Sequence, residues 1–369
     1  MKRWGDLQNF NFAFKQEVET RVVLGGEESL SALNELNGKG FALISDRLYE
    51  SRASVNELSV ALDLLKGWKI LLVPDGEGAK DVGVALNALK QLRDAGMQRT
   101  DSLLAVGGGT ITDLGGFVSS IYMRGTRLVN LPTTLLAMVD AALGGKNGVD
   151  FMGYKNLLGV IHQPSLVVED LNFIRSLPEE DYRSGLSEVI KYAAVLDSEL
   201  GDFLVENREG VMLRKSDEVS FLVGRSVQDK MRAVAVDEMD RLGIRAALNF
   251  GHTIGHAIEA GTNFKISHGR AVAVGMAAEA NLGVLEGITS SESEAWLLDA
   301  LRRYGLPTEL NGLGVSEFDS ERATRALAGD KKRVSEKIIM PFMKERGTWC
   351  LRGIELSRLL KVLKLRGNR

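Results

Sequence analysis

The sequence predicts two domains, an N-terminal α/β domain built on a parallel sheet and a mainly α-helical C-terminal domain. The chain has 369 residues, about twice the usual length of one domain. Short apolar runs alternate with helical patterns over the first 170 residues, and such runs become rare after residue 178. We therefore place the boundary within residues 172–178 and expect the domains to span residues 1–175 and 176–369.

Five apolar runs are expected to form the strands of the N-terminal sheet. They cover residues 21–24, 41–44, 69–73, 102–106 and 128–131, and each stops at residues typical of turns. After the third run, Val82, Leu86, Leu89 and Leu92 recur at helical spacing behind Asp81, a residue type common at helix N-caps. Strands without polar alternation that are separated by helices form a parallel sheet covered on both faces. Ligands of such sheets bind beyond the carboxyl ends of the strands.

The C-terminal half is expected to be mainly helical. Helical patterns cover residues 184–206, 217–240, 246–260, 270–287, 291–304 and 317–328. A β-like stretch at residues 337–340 precedes a last helix at residues 354–366.

The composition excludes several classes of protein. Lys and Arg total 46 and Asp and Glu total 49, giving a net charge of −3, whereas a general nucleic-acid binder has a basic excess. One cysteine excludes a disulfide framework and any metal site built from several cysteines. The sequence shows neither an apolar leader nor an apolar run long enough to cross a membrane. We therefore expect a cytoplasmic protein that binds neither nucleic acid nor membranes.

A triple glycine follows the fourth predicted strand and opens a helix. Gly107, Gly108 and Gly109 lead into Asp113, and glycines at a helix N-terminus let backbone N–H groups approach a phosphate. The spacing departs from the full dinucleotide fingerprint, because Thr112 replaces its third glycine. Polar side chains at the ends of neighbouring strands favour a bound dinucleotide over a purely structural turn. These side chains are Asp46, Glu77, Lys80, Thr133 and Thr134.

Histidines are concentrated in one part of the second half. His252 and His256 are four residues apart on one face of a predicted helix, and His268 begins the next helix. Two histidines and a carboxylate with one open position are typical of catalytic zinc. A protease motif is excluded because Thr253 stands where H-E-x-x-H requires Glu, so we expect the carboxylate from Glu188. The alternative is that these histidines only pack against neighbouring helices.

Several cations lie beside glycines or helix ends. Lys146 and Lys155 flank a stretch at residues 147–153 that we expect to be flexible, and Arg124, Lys230 and Arg245 lie near other turns or helix ends. Each of these alone is typical of a solvated surface charge. Beside the glycines and the histidines, the two lysines instead predict a small anionic substrate that carries phosphate or carboxylate.

Taken together, these residues resemble the 3-dehydroquinate synthase family of sugar-phosphate cyclases over nearly the whole chain. The resemblance depends on the order and spacing of motifs at residues 76–80, 107–113, 124–125, 132–140, 144–146, 155–156, 187–191, 230, 237–238, 245–259, 268–269 and 330–332. It implies a Rossmann-like NAD⁺-binding domain, a helical metal-binding domain, and an active site between them. It also implies a homodimer, because Arg124 matches an arginine that the family donates across the dimer interface.

The resemblance implies a role for each matching residue. Zn²⁺ or Co²⁺ is expected on Glu188, His252 and His268. The implied cofactor positions are Asp46, Glu77, Lys80, Gly108, Gly109, Asp113, Thr133, Thr134, Asp140, Lys146 and Lys155. The implied substrate-binding and catalytic positions are Lys146, Asn156, Lys191, Lys230, Arg245, Asn249, His256, Lys331 and, across the interface, Arg124.

The implied activity is a lyase reaction of the shikimate pathway. The phosphorylated sugar acid 3-deoxy-D-arabino-heptulosonate 7-phosphate is converted to 3-dehydroquinate and phosphate. Its C5 is transiently oxidised by NAD⁺, which acidifies the neighbouring C–H so that phosphate leaves, and the hydride is then returned. The metal is expected to polarise the C5 oxygen, and ring opening followed by an aldol step closes the carbocycle.

Three positions depart from the usual family sequence, which leaves the exact sugar-phosphate substrate open. Asn147, Asp150 and Arg270 stand where Thr, Asn and Glu are commoner. The first alternative is another sugar-phosphate cyclase of the aminodehydroquinate type, whereas the Gly-Gly-Lys sequence at residues 144–146 argues against an inosose type. A metal-dependent alcohol or glycerol dehydrogenase and a non-enzymatic nucleotide-binding scaffold are the others.

Overall fold

A parallel sheet of six strands organises the N-terminal half of this computed structural model, which describes residues 18–36, 40–152, 154–315, 317–329, 333–334 and 336–367. The strands are β1 (Arg21–Gly25), β2 (Gly40–Ser45), β3 (Lys69–Val73), β4 (Ser102–Gly107), β5 (Arg127–Pro132) and β8 (Leu166–Asp170). Their order is β1-β8-β5-β4-β2-β3, and neighbouring strands are parallel. All five predicted strands are confirmed. The sixth, β8, escapes prediction because Glu169 and Asp170 are charged although the strand is buried throughout.

The two faces of the sheet bury different residues. Helices α1 (Asp46–Glu50), α2 (Asn56–Leu64), α3 (Val82–Asp94) and α4 (Gly109–Ile121) connect the strands. Phe41 and Leu43 of β2 pack with α3 and α4 on one face, and the alternate residues Ala42 and Ile44 share a core with the C-terminal helices. Asp81 caps α3 as predicted, because its carboxylate accepts a hydrogen bond from a backbone N–H of the first turn.

A hairpin replaces the expected flexible stretch between Lys146 and Lys155. Strands β6 (Lys146–Phe151) and β7 (Tyr154–Ile161) pair antiparallel, so that prediction is wrong for its described residues. The buried amide of Asn147 donates to the carbonyls of Gly145 and His162 at 2.8 and 2.9 Å. These hydrogen bonds stabilise a strand that lacks the apolar alternation on which a sequence prediction depends.

The C-terminal half is mainly helical, as predicted. Its helices are α5 (Phe173–Ser176), α6 (Glu179–Val195), α7 (Ser198–Glu206), α8 (Arg208–Met212), α9 (Ser216–Val236), α10 (His252–Gly261), α11 (His268–Leu285), α12 (Ser291–Arg303), α13 (Ser320–Ala328) and α14 (Leu356–Gly367). The helix expected at residues 184–206 is two helices, because Asp197 ends the first stretch and caps α7. Among the described residues, the helices are all too short or too polar to span a membrane.

A small antiparallel sheet lies near the end of the chain. It consists of β9 (Arg333–Val334), β10 (Lys337–Met343) and β11 (Trp349–Glu355). β10 contains the β-like stretch predicted at residues 337–340, whereas its partner β11 is not predicted. The division into domains of residues 1–175 and 176–369 stays a prediction, since one core joins Ile44 of the sheet with Val189 of α6.

Candidate active site

A cleft of about 300 Å³ lies where residues that follow β3, β4 and β5 meet residues of the hairpin, α9, α10 and α11. Most of the predicted site residues line this cleft. They are Glu77, Lys80, Gly109, Asp113, Asp140, Lys146, Lys155, Asn156, Lys230, Arg245, Asn249, His252, His256 and His268. The fold thus brings the glycine loop, the cations and the histidines to one place.

Glu188, His252 and His268 form a compact trio contributed by α6, α10 and α11. Nε2 of His268 lies 3.3 Å from Oε1 of Glu188, and Nε2 of His252 lies 3.7 Å from the same oxygen. Lys191 donates a hydrogen bond to Oε2, whereas Oε1 has no hydrogen-bond partner among the residues that the structure describes. A buried carboxylate oxygen without a donor, facing two imidazole nitrogens, fits a divalent cation with an open coordination position.

Both imidazoles of the trio have an outer polar contact. Nδ1 of His252 donates to the Phe250 carbonyl at 3.2 Å, which leaves Nε2 as the nitrogen that can bind a cation. Burial lowers the pKa of His252 well below its usual value, so this ring is neutral. Burial also disfavours the charged form of His268, but Glu259 and Glu188 outweigh this effect and raise its pKa to about 10. A cation would supply the positive charge that these two carboxylates attract.

Close contacts between helices hold the trio together. The first turn of α11 packs on α6 at Gly269, where a Cβ atom would lie 2.0 Å from the Ser184 carbonyl oxygen. The buried Glu279 carboxylate accepts hydrogen bonds from the backbone N–H groups of Gly251 and Ile254 at 2.7 and 3.1 Å. It therefore caps the N-terminus of α10, where the first histidine of the trio lies.

A second group of charges surrounds Asp140 in the π-helical turn Ala137–Ala141. Its Oδ1 accepts hydrogen bonds from Lys230 Nζ and the Tyr192 hydroxyl, each at 2.7 Å, and Lys191 Nζ lies 4.0 Å away. Burial favours the neutral carboxyl, but Lys230 and Lys191 outweigh it and hold the pKa of Asp140 far below its usual value. One carboxylate thus fixes two lysines beside the metal trio.

Two lysines on the sheet side of the cleft are paired with carboxylates. Lys80 Nζ lies 2.6 Å from Asp113 Oδ2, and Lys155 Nζ lies 3.0 Å from Glu77 Oε1. Burial disfavours both ammonium charges, but the neighbouring carboxylates outweigh it and raise the pKa of each lysine. Because α4 begins at Gly109 along the same edge, its first backbone N–H groups are available to an anion.

The loop between α9 and α10 positions two of the predicted cations. The Asp237 carboxylate accepts four backbone N–H groups of this loop. Burial opposes its ionisation, but these hydrogen bonds prevail and lower the pKa of Asp237 to about 2. In the loop, Arg245 donates to the Glu238 carbonyl at 2.8 Å, and Asp240 forms an ion pair with Lys146 at 2.5 Å.

Some predicted residues do not line the cleft. Glu188 and Lys191 are fully buried behind it. Asp46 is exposed in the first turn of α1, and Arg124 is exposed on a turn with a φ of +66°. The others lie at the carboxyl ends of β4 and β5; these are Gly108, Thr133 and Thr134. Lys331 lies outside the described residues.

The three departures from the family sequence have structural partners of their own. Asn147 is a buried hairpin residue, as described above, and Asp150 accepts a hydrogen bond from the Asn156 backbone N–H at 2.8 Å. The Arg270 guanidinium donates to the Gly312 and Leu313 carbonyls at 3.0 Å, and it lies 3.4 Å from Glu180. Arg270 is therefore neutralised by contacts outside the metal trio.

Two residues in the site are missed by the predictions. Glu259 lines the cleft and is only 3% exposed, and Tyr192 donates to Asp140. The signal for Glu259 is its position three residues after His256 and seven after His252, on the same face of α10. Tyr192 has no such signal, because its contact with Asp140 spans 52 residues.

Two solved structures share this fold almost from end to end. The 2-epi-5-epi-valiolone synthase of Streptomyces hygroscopicus, with NAD⁺ and Zn²⁺ bound, is 26% identical with a TM-score of 0.85, covering 96% of this chain and 98% of that protein. A 2-deoxy-scyllo-inosose synthase, complexed with carbaglucose-6-phosphate, NAD⁺ and Co²⁺, is 21% identical with a TM-score of 0.82, covering 94% and 96%. The fold and the site define an enzyme of the sugar-phosphate cyclase class.

Sequence comparison identifies the family within that class. Residues 70–184 match the N-terminal part of 3-dehydroquinate synthase, and residues 185–333 match its C-terminal part. A 3-dehydroquinate synthase of Sulfolobus acidocaldarius is 44% identical over 343 residues, which is 92% of this chain and 94% of that protein. The chain belongs to the 3-dehydroquinate synthase family.

Proposed function

We propose that this chain converts 3-deoxy-D-arabino-heptulosonate 7-phosphate to 3-dehydroquinate and inorganic phosphate. It would use NAD⁺ that is regenerated in each turnover and one divalent metal, Zn²⁺ or Co²⁺. The observation that carries the proposal is a cleft in which the trio Glu188, His252 and His268 meets buried cations and the glycine loop. A phosphate-eliminating cyclase needs these three parts, namely a metal group, an anion-binding surface and a nucleotide edge.

The nucleotide edge consists of residues that follow strands β2 to β5 and of the hairpin. We assign NAD⁺ to Asp46, Glu77, Lys80, Gly108, Gly109, Asp113, Thr133, Thr134, Asp140 and Lys155. The N-terminus of α4 offers backbone donors to a pyrophosphate. Bound NAD⁺ would supply a hydride acceptor that later gives the hydride back. Lys80 and Lys155 stay charged beside their carboxylates and can hold ribose or phosphate oxygens.

The metal group has a defined set of supporting contacts. Glu188, His252 and His268 would hold the metal, which would act as a Lewis acid on a substrate hydroxyl. Lys191 keeps the Glu188 carboxylate charged and oriented by donating to Oε2. The Phe250 carbonyl fixes the ring of His252 so that Nε2 faces the trio.

The substrate is a dianionic sugar acid, and the cleft offers cations for both of its ends. Lys230 and Arg245 are only 5% and 2% exposed, so their attraction for a phosphate or carboxylate is screened little by water. Lys146 lies closer to solvent at the base of the hairpin. Amide and imidazole side chains that can bind substrate hydroxyls complete the lining, namely Asn156, Asn249 and His256.

We also propose a homodimer that acts in the cytoplasm, where NAD⁺ and phosphorylated sugars are held. Arg124 is exposed and does not line the cleft of its own subunit. Both Arg124 and its neighbour Met123 have positive φ, at +66° and +49°, a backbone strain that is often kept for a functional contact. Arg124→Ala should therefore lower turnover without weakening metal binding, and mixing it with a Lys146→Ala variant should restore part of the activity.

The central test is phosphate release by purified protein supplied with the heptulosonate phosphate, Zn²⁺ or Co²⁺, and NAD⁺ below the substrate concentration. We expect many turnovers per NAD⁺, no accumulation of NADH, and loss of activity with a chelator. Steady NADH accumulation would instead indicate a dehydrogenase. Phosphate release from a different sugar phosphate, but not from this one, would indicate another cyclase of the same class.

A further inference from the structure

Glu259 joins two parts of the site that are otherwise separate. It lies on α10 and is only 3% exposed. Its Oε1 is 3.5 Å from Nδ1 of His268 and 3.3 Å from Nζ of Lys155. Lys155 in turn lies 3.0 Å from Glu77, which follows β3. A continuous line of charged contacts therefore runs from the sheet edge to the metal trio.

We propose that Glu259 is a positioning residue that fixes the His268 imidazole for metal binding and the Lys155 ammonium for nucleotide binding. The inference rests on the proposed function, because it concerns the metal and the nucleotide assigned there. It adds a residue that touches neither the substrate nor the metal in this role. Its effect is exerted through its two neighbours.

The case for His268 comes from a comparison of the two imidazoles. The His252 side chain is 9% exposed, and a backbone carbonyl fixes its ring. The His268 side chain is 28% exposed, so packing restrains it less. A carboxylate on Nδ1 fixes the orientation of such a ring and raises the basicity of its other nitrogen, which faces Glu188. Glu259 is the carboxylate in that position.

The case for Lys155 comes from its place on the hairpin. Its side chain is 27% exposed and lies between two carboxylates, one from the turn after β3 and one from α10. With both contacts, the ammonium is held at the boundary between the sheet and the helices. Without Glu259, only Glu77 would retain it, and the nucleotide would meet a lysine with more rotational freedom to lose.

Glu259 has another conceivable role, as a direct ligand. Ligand atoms of His256, Glu259 and His268 all lie within 4.8 Å of one another. The Lys155 ammonium, however, is 3.3 Å from Glu259 Oε1, and a divalent cation bound to that oxygen would be repelled by it. The geometry therefore favours one metal per subunit, held by the trio, with Glu259 outside it.

The test is Glu259→Gln, which keeps the volume and removes the charge. Zn²⁺ affinity is measured by competition with a chelating indicator, and NAD⁺ affinity by titration of the metal-loaded protein. We expect metal affinity to fall about 10–100-fold, NAD⁺ affinity to fall severalfold, and the absorption spectrum of the Co²⁺-loaded protein to change. Glu77→Gln is the matched control, because it removes the other carboxylate on Lys155. It should weaken NAD⁺ and leave metal affinity within about twofold of the unaltered protein, since no contact with His268 is lost.

The outcomes separate this inference from the proposed function. Unchanged metal affinity and an unchanged Co²⁺ spectrum in Glu259→Gln would overturn the positioning role, while turnover by the unaltered protein would leave the function standing. Two metals per subunit, one of them lost in the variant, would overturn it in favour of direct ligation. If Glu259→Gln does not fold, Glu259→Asp withdraws the carboxylate by one methylene and should show the same loss of metal affinity. Failure of the unaltered protein to bind metal or release phosphate would overturn both.

Discussion

Nε2 of His268 lies 3.3 Å from Oε1 of Glu188, an oxygen that is buried with no hydrogen-bond donor in the described part of the chain. A buried acceptor of this kind costs about 1–3 kcal/mol unless it is satisfied. The other oxygen of Glu188 is already bonded to Lys191, and the two imidazoles offer lone pairs once they are neutral. A divalent cation satisfies all three groups together, which explains why α6, α10 and α11 converge here.

Glu188→Gln should remove the metal and disturb the buried charge of Lys191. We expect loss of stoichiometric Zn²⁺ binding and a fall in turnover of more than about 100-fold, since an anionic ligand becomes neutral. The metal-free variant should be less stable than the metal-free parent by about 3 kcal/mol, because Lys191 is fully buried and loses its charged partner. Equilibrium dialysis and urea unfolding measure the two effects. Full metal occupancy in the variant would exclude Glu188 as a ligand.

Lys146→Ala should separate substrate handling from nucleotide binding. The Lys146 side chain is 46% exposed and pairs with Asp240 at 2.5 Å, so its loss should change the free energy of unfolding by less than about 1 kcal/mol. We expect NAD⁺ affinity to be retained and turnover to fall by more than about 100-fold, because a cation beside the reacting sugar acid is lost. Lys66→Ala, at an exposed position of the N-terminal half, is the control and should be fully active. Turnover near the parent value in Lys146→Ala would remove Lys146 from the site.

Tyr192→Phe should test whether the orientation of Asp140 matters for the reaction. The Tyr192 hydroxyl donates to Asp140 Oδ1 at 2.7 Å and lies 3.0 Å from the Val139 carbonyl. One hydrogen bond is worth about 0.5–1.5 kcal/mol, so we expect kcat to fall about 3–10-fold with little change in KM.

The matched control for this variant is Tyr182→Phe. Tyr182 is equally buried, and its hydroxyl donates to the Val211 carbonyl at 2.7 Å, in the helical core. Both variants should lose about 1 kcal/mol of stability, but the control should keep its kcat. Equal kcat values in the two variants would mean that Tyr192 has only a structural role.

The predictable parts of this molecule are those that depend on neighbours in sequence. The strand at residues 69–73 ends as predicted at Val73, and the trio is found because two of its histidines begin adjacent helices. The missed parts depend on contacts that are distant in sequence. The carboxylate of Glu279 caps a helix 25–28 residues away, and the hairpin is held by Asn147, a polar residue without strand periodicity. A sequence pattern carries no record of such pairings.

Glu169→Gln should stabilise the protein at neutral and higher pH. Glu169 is fully buried on β8, and neither of its carboxylate oxygens has a hydrogen-bond partner within the described residues. Burial alone raises the pKa of Glu169 well above its usual value, so the folded protein keeps this carboxyl protonated where the unfolded chain ionises it. Stability is therefore lost as the pH rises above about 4.5, by about 1.4 kcal/mol per pH unit until the folded pKa is reached.

Glutamine cannot ionise, so the variant should avoid this loss. The two proteins should unfold at similar urea concentrations at pH 5, and the variant should be the more stable at pH 8, with the gap widening between. Glu50→Gln, at an exposed position of α1, is the control and should stay within about 0.5 kcal/mol of the parent at every pH. Parallel stability curves for the parent and Glu169→Gln from pH 5 to pH 8 would show that the folded protein accommodates Glu169 as a carboxylate.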